Sequence, residues 1–426
     1  MKKYPAIYWI WALVNSPMVT LSDCANLVRE KVDPTTISEV PYIGLEHIGQ
    51  GTLHLIEYGS SKDVGSTKTK FKKGDILFGK LRPYFRKVIK APFDGVCSTD
   101  IWVVRAKEGY CQDYIFYWMA DQTFINHSMA GSEGTKMPRA KWDHVIQFER
   151  SYVSLPTQER IADILGTLDD KIELNRQMNC TLEAMARAIF KSWFVDFDPV
   201  YAKMEGREYP LPSDVMDLFP DELVESELGL IPKGWKVGKI GDIAKRSKDG
   251  INPYDNPDTK FHHYSIPAYD SSLFPILEKG ELIRSRKYLV KTGSILLSKL
   301  NPATPRVWLA IPGLDNPICS TEFLVYLPKK GFSRIFLYGL FKSKHFLDIL
   351  ASYVTGTSKS HQRVKPNDIV NMQIVLPPKE LLEFFNRVSN PGLERIICNT
   401  KQTQALLKIR DTLLQKLISG EIELDS

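Results

Sequence analysis

The stretch LPTQERIADILGTLDDKIELNRQMNCTLEAMARAIFKSWF, residues 155–194, decides the architecture of this 426-residue chain. Apolar side chains recur three and four apart: Ile161, Ile164 or Leu165, Leu168, Ile172, then Leu182, Met185 or Ala186, Ile189 and Trp193. That period belongs to a long amphipathic helix rather than a strand. Thr157 fits an N-cap, completed only partly because Arg160 stands where a capping box wants Glu. Gly166 marks a weak point or a break. At ~1.5 Å per residue the run reaches roughly 50 Å, more than one small core can cover, so the helix needs a partner helix.

The chain carries a second helix of the same kind. Residues 398–422, CNTKQTQALLKIRDTLLQKLISGEI, lie under the central stretch with Asn399 under Asn175, Leu406 under Leu182, Ile409 under Met185 and Leu413 under Ile189. Asn175 and Asn399 fall on the apolar stripe. There they either fix the register of a helix pair or stand at the edge of an ordinary core face.

The duplication extends beyond the helices. KKGDILFGKLRP (72–83) returns as KTGSILLSKLNP (291–302), and Cys97-Ser98-Thr99-Asp100 returns as Cys319-Ser320-Thr321-Glu322. Gly134-Thr135-Lys136 returns as Gly356-Thr357-Ser358-Lys359, and a Leu-Pro step precedes each helix. These landmarks keep their order at offsets of about 219 to 225 residues. Short apolar runs between Gly, Pro and Asp turns predict strands, with helices over Tyr114–Ala120 and Ile335–Phe346. The expected fold class is α+β. Module one spans residues 1–154, a helix 155–194, a linker 195–227, module two 228–375 and a second helix 376–426.

Composition is that of a soluble globular protein, with a net charge of +6. Six cysteines (Cys24, Cys97, Cys111, Cys180, Cys319, Cys398) form no C-x-x-C pair, which points to a reducing compartment without a zinc site. The apolar run Ala6–Val14 is too short to span a bilayer and is expected to be a buried strand or helix. A cytoplasmic protein without membrane contact follows.

Residues 60–90 hold ten Lys or Arg against Asp63 and Asp75, interrupted by Tyr84 and Phe85. The matching segment, residues 282–308, holds Arg284, Arg286, Lys287, Lys291, Lys299 and Arg306 without an acid. One such run is commonly a solvated face, but basic runs in both copies point to nucleic acid. Residues that combine a repeated position with a suitable side chain are the DNA-contact candidates. In the first copy they are Lys72, Lys73, Lys80, Arg82, Tyr84, Arg86, Thr135, Lys136 and Arg139. In the second they are Lys291, Lys299, Asn301, Thr357, Ser358, Lys359, His361, Gln362 and Arg363. Arg and Gln can read base edges, while Lys, Ser and Thr can hold phosphates. No catalytic set is legible. Asp198-Pro199-Val200-Tyr201 and Asn252-Pro253-Tyr254 each lack the second proline of an Asp/Asn-Pro-Pro-Tyr motif, and no Walker or metal-nuclease spacing occurs.

These features resemble the DNA-specificity subunits of type I restriction–modification systems. The resemblance rests on the two KxGxILxxKLxP segments, SLPTQERIADILGTLDDKIELN, SELGLIPKGWKVGKIGDI (226–243) and LLQKLISGEIEL. It implies two target-recognition domains separated by two long antiparallel helices, with a pseudo-two-fold repeat. Each domain would read one half of a split double-stranded DNA target. It also implies no catalysis in this chain. Two methyltransferase subunits would bring S-adenosylmethionine, and two restriction subunits would bring ATP and magnesium. The second helix departs from the family pattern at its LPPKELLEFF start and at Asn390-Pro391-Gly392. A stand-alone methyltransferase or nuclease, and a scaffold that binds no DNA, are the competing classes.

Overall fold

The computed structural model describes residues 17–134, 136–354, 362–422 and 424. Ala6–Val14 lie outside them. The chain divides into two compact units, one of Met1–Leu174 with Thr403–Ser426, the other of Asn175–Gln402. Each unit therefore contains half of each long helix.

In the first unit a four-stranded sheet is the middle layer. Its order is Ala25–Val28, Ile101–Ala106, Ile76–Gly79, Val88–Lys90, all antiparallel. Ile76 and Phe78 face one core, with Trp118, Phe124, Ile161, Leu165, Leu414 and Leu417. Leu77, between them, faces a second core with Ile43, Phe71, Cys97 and Val103. Burial on both faces is why this strand reads as an unbroken apolar run rather than an alternating one. The second core is closed by a five-stranded sheet in the order Lys31–Val32, Lys68–Phe71, Gly95–Cys97, Pro41–Ile43, Gly59–Ser60. A two-stranded pair, Met18–Thr20 with Glu149–Ser151, brings the ends of the module together.

The second unit repeats this topology strand for strand. Ala244–Ser247, Phe323–Pro328, Ile295–Ser298 and Val307–Leu309 make the four-stranded sheet. Gly250–Ile251, Lys287–Leu289, Pro317–Cys319, Lys260–Tyr264 and Ile276–Lys279 make the five-stranded one. Lys236–Lys239 pairs with Gln373–Leu376. Again Ile295 and Leu297 face one core and Leu296 the other. Gly74 and Gly293 hold the same turn in left-handed backbone (φ +88° and +82°), which suits a residue without Cβ.

The two long helices run Leu155–Phe194 and Lys379–Ile418, each uninterrupted. Three expectations about them are corrected. The first helix starts at Leu155, so Thr157 is inside it, and Pro156 is tolerated because first-turn N–H groups have no partner to lose. Gly166 does not break it; its Cα faces Tyr117, whose hydroxyl would lie 3.9 Å from an added Cβ. Pro391 does not break the second helix either. Pro391 is exposed, while Leu393, Ile396 and Ile397 beyond it are buried and hold the helix through the lost hydrogen bond. Pro391→Ala is expected to restore that donor and stabilise the chain by up to about 3 kcal/mol, read as a raised melting temperature.

Helix pairing is antiparallel. In the second unit Asn175 Nδ2 donates to Gln402 Oε1 (3.0 Å), and Asn399 Nδ2 donates to Asn179 Oδ1 (2.9 Å). Asn175 and Asn399 are both buried, and the nitrogen of each amide donates across the seam to another polar side chain. Ile161 and Leu165 pack on the first module's core as well as along the helix, and Ile172 is buried. Leu168, Leu182, Ile189, Leu406 and Leu413 are half-buried. The stripe passes through Ala186; Met185 and Ile409, equivalent in the repeat, are both exposed.

Two further differences from the sequence reading concern local structure. Residues 195–227, expected as a linker, carry helices Asp198–Met204 and Ser213–Met216 and bury Phe197, Val200, Val215 and Phe219 in the second unit's core. The helix expected over Ile335–Phe346 is two helices, Arg334–Lys342 and Lys344–Ser352. Ser343 separates them because its hydroxyl caps the second, accepting from Phe346 N (3.3 Å). The first module matches with Gln112–Ala120 and Gln122–Ala130, capped by Asp121.

Candidate nucleic-acid interface

Two of the repeated landmarks, and the residues that follow a third, meet at one end of each module. The middle strand Ile76–Gly79 ends in Lys80-Leu81-Arg82-Pro83. Lys80 N donates to Asp100 O (2.9 Å), Ala140 N to Lys80 O (2.9 Å), and Arg82 N to Pro138 O (2.7 Å). Leu81 and Arg139 form an isolated antiparallel bridge. Arg139 Nε donates to Asp100 Oδ1 at 3.2 Å. The Ser98 hydroxyl accepts from Asp100 N (3.3 Å), which shapes the turn that presents the carboxylate.

The second module builds the same site with different side chains. Lys299 N donates to Glu322 O (3.0 Å), Val364 N to Lys299 O (3.0 Å), and Asn301 N to Gln362 O (2.9 Å). Leu300 bridges Arg363. Arg363 donates to Glu322 through Nε and Nη2, both at 3.1 Å. The Ser320 hydroxyl accepts from Glu322 N (3.3 Å).

The structure does not gather every sequence candidate here. Lys72, Lys73 and Lys291 lie at the opposite end of the middle strand from Lys80 and Lys299. A four-residue strand separates them by roughly 13 Å. Lys72 N and Lys73 N are held by Asp75 Oδ2 (2.8 Å) and Asp94 Oδ1 (2.7 Å), and Lys291 Nζ pairs with Asp249 (2.5 Å). Tyr84 is exposed beside Phe85, and Arg86 Nη2 donates to Ala120 O (3.1 Å). Lys136 is exposed and Gln362 half-buried. Thr135, Thr357, Ser358, Lys359 and His361 lie outside the described residues. The basic run is also less bare than its sequence. Lys62 pairs with Glu39, Lys70 with Glu30 and Lys90 with Asp113, acids supplied from other parts of the module.

Two features lie outside the DNA-contact candidates. Asp100 and Glu322 were visible as the last residue of a repeated tetrapeptide but, being acidic, did not look like DNA contacts. Lys68 and Lys287 are the other pair. Each is buried, and each amine donates to the residue two before it. Lys68 Nζ reaches Ser66 O (2.6 Å) and Oγ (2.7 Å); Lys287 Nζ reaches Ser285 O (3.1 Å) and Oγ (2.5 Å). Burial pushes both ammonium groups below their usual pKa. Their shared Ser-x-Lys spacing, at the same offset as Lys72 and Lys291, was the available signal.

Among the described residues no group of His, Cys, Asp and Glu is arranged to hold a metal ion, and no helix is long and apolar enough to cross a membrane. All six cysteines are free.

Fold and site thus define a duplicated α+β module followed in each copy by a long helix, with one polar loop cluster per copy. Residues 17–184 match the family described as the Type I restriction modification DNA specificity domain. The chain is 27% identical over 408 residues to the MjaIX type I specificity subunit of Methanocaldococcus jannaschii, covering 92% of this chain and 87% of that one. It is 25% identical over 460 residues to the HindI specificity subunit of Haemophilus influenzae, covering 95% and 98%. The type I S subunit from M. genitalium has the same fold, with a TM-score of 0.55 at 14% identity over 96% of this chain and 97% of that one. The resemblance read from the motifs is upheld: this chain is related to the DNA specificity subunits of type I restriction–modification systems.

Proposed function

We propose that this chain reads a split double-stranded DNA target, one half with each module, as the specificity subunit of a type I restriction–modification complex. The observation that carries this reading is the same three-loop cluster, Lys80–Arg82–Asp100–Arg139 and Lys299–Asn301–Glu322–Arg363, built twice on one frame with different side chains. Two copies of one frame suit two half-sites; changed side chains suit two sequences. The long antiparallel helices would separate the half-sites and offer equivalent faces to two methyltransferase and two restriction subunits. Those partners would supply the chemistry, with S-adenosylmethionine, ATP and magnesium held on them and none on this chain.

Adenine-methylation mapping of DNA from cells expressing this chain with its methyltransferase subunit tests the reading. Two short defined halves around a fixed gap are expected. A continuous motif, or one unchanged when the chain is deleted, would place recognition elsewhere, and DNA cleavage by the purified chain alone would make it an enzyme. Within the reading, Lys80→Ala and Lys299→Ala remove phosphate contacts. Each is expected to weaken binding evenly across sequences and lower the slope of log K against log salt by about 1.

A further inference from the structure

Lys-Leu-x-Pro closes the middle strand of both modules, and x is its one changed residue: Arg82 in the first, Asn301 in the second. Both stand in left-handed backbone, φ +51° and +47°. Asparagine enters this region readily, but arginine does so at a cost of order 1–2 kcal/mol. Glycine would fit it without strain, so the backbone alone does not call for either side chain. Both residues are fixed by the same hydrogen bond between two loops, from their N–H to the carbonyl of residue 138 or 362. Both are flanked by a lysine two residues before and by the arginine–carboxylate pair on the neighbouring loop.

Each also has a buried polar atom without a hydrogen-bond partner, Arg82 Nε in one and Asn301 Oδ1 in the other. Buried polar atoms are nearly always paired, and an unpaired one loses about 1–3 kcal/mol. The position is held left-handed in both copies, both side chains are only half-buried, and their chemistry changes between the copies, which is what telling two half-sites apart requires. The side chains differ in what they can pair with. A guanidinium donates to the two acceptors O6 and N7 of guanine. A carboxamide accepts from N6 of adenine and donates to its N7.

We propose that Arg82 and Asn301 are equivalent specificity-determining residues, Arg82 reading a guanine in one half-site and Asn301 an adenine in the other. This deepens the proposed function and rests on it. Lys80 and Lys299 beside them hold backbone phosphate, while Asp100 and Glu322 are positioning residues that keep Arg139 and Arg363 in place.

The test is methylation mapping of the full chain, co-expressed with its methyltransferase subunit, as wild type, Arg82→Gly, Asn301→Gly and Arg82→Asn. Glycine suits the left-handed backbone, and the untouched half-site in the same molecule reports that the chain is folded and assembled. Each glycine variant is expected to lose about 5- to 150-fold discrimination at one base pair of one half-site, with the other half unchanged. Arg82→Asn is expected to move that position's preference from guanine towards adenine. Unchanged half-sites in the glycine variants would overturn the assignment, as would equal weakening at all positions or complete loss of methylation. A wild-type chain that yields no split motif would instead bring down the proposed function on which the assignment stands.

Discussion

Arg410→Ala is expected to destabilise the first unit by about 3–5 kcal/mol, the largest effect of any single charged side chain in it. Arg410 is fully buried on the second long helix. It donates from Nη1 to Asp169 Oδ1 (2.8 Å) and from Nη2 to Asp411 Oδ1 (2.8 Å). Asp169, on the first long helix, also accepts from Tyr117 Oη at 2.7 Å. Burial alone would lower the guanidinium's pKa, but Asp169 and Asp411 outweigh it and hold the group charged. Burial, and then the Asp169 carboxylate, push the Tyr117 phenol well above its usual range. Removing Arg410 leaves Asp169 partly buried with one neutral donor. Arg410→Met with Asp169→Asn removes both charges and keeps the volume, so the pair is expected to lose far less than the single variants do together. Urea unfolding gives the size of the loss. Amide exchange, accelerated over 155–174 and 403–418 but not elsewhere, gives its place. A shift under 1 kcal/mol for Arg410→Ala would show the network to be solvated.

Phe190→Ala should cost the second unit a similar amount, about 3–5 kcal/mol, for an apolar reason. Phe190 is 2% exposed, its ring 5.1 Å from Phe194 and 5.5 Å from Phe336. Gly339 lies against its face, and a Cβ there would come within 2.6 Å of the ring. Gly339→Ala alone therefore overpacks the site, by about 1–3 kcal/mol. In the double variant the new methyl enters the space the ring has left. The combined loss is expected to be smaller than the sum by 0.5–3 kcal/mol, on the order of couplings between touching residues. Additive losses would mean the two do not share one contact.

Period and repetition carried most of what the sequence could disclose. The long helices declared themselves by their 3.6-residue stripe. The middle strands were legible in both copies because Ile76-Leu77-Phe78 and Ile295-Leu296-Leu297 are apolar on both faces. What stayed hidden depends on contacts distant in sequence. Pro391 and Gly166 look like breaks locally, and only the core residues around them show why the helices continue. Residues 195–227 look like a linker because Pro, Gly and Asp punctuate them, while Phe197, Val200 and Phe219 are anchored by strands far along the chain. At the candidate site the lysines were legible as a charge run, yet which of them cluster was not. Lys72 and Lys80 are neighbours in sequence and stand at opposite ends of a strand. Lys62 and Lys70 meet glutamates some twenty to forty residues away. Asp100 and Glu322 escaped notice because acidic side chains argue against DNA until their arginine partners are seen.

The ion pair at Arg410 and the bond from Arg150 Nη1 to Ile418 O (3.2 Å) join residues 241 and 268 positions apart. On the ribosome this has a temporal meaning. The first module leaves the exit tunnel early, with its sheets able to form. The apolar strip that Leu414, Leu417 and Ile418 will cover stays open until more than two hundred further residues have been translated. At ~5–20 residues per second that wait is on the order of ten seconds to a minute. The nascent first half is thus a sticky intermediate by construction, and elongation speed across the second half sets how long it must be shielded.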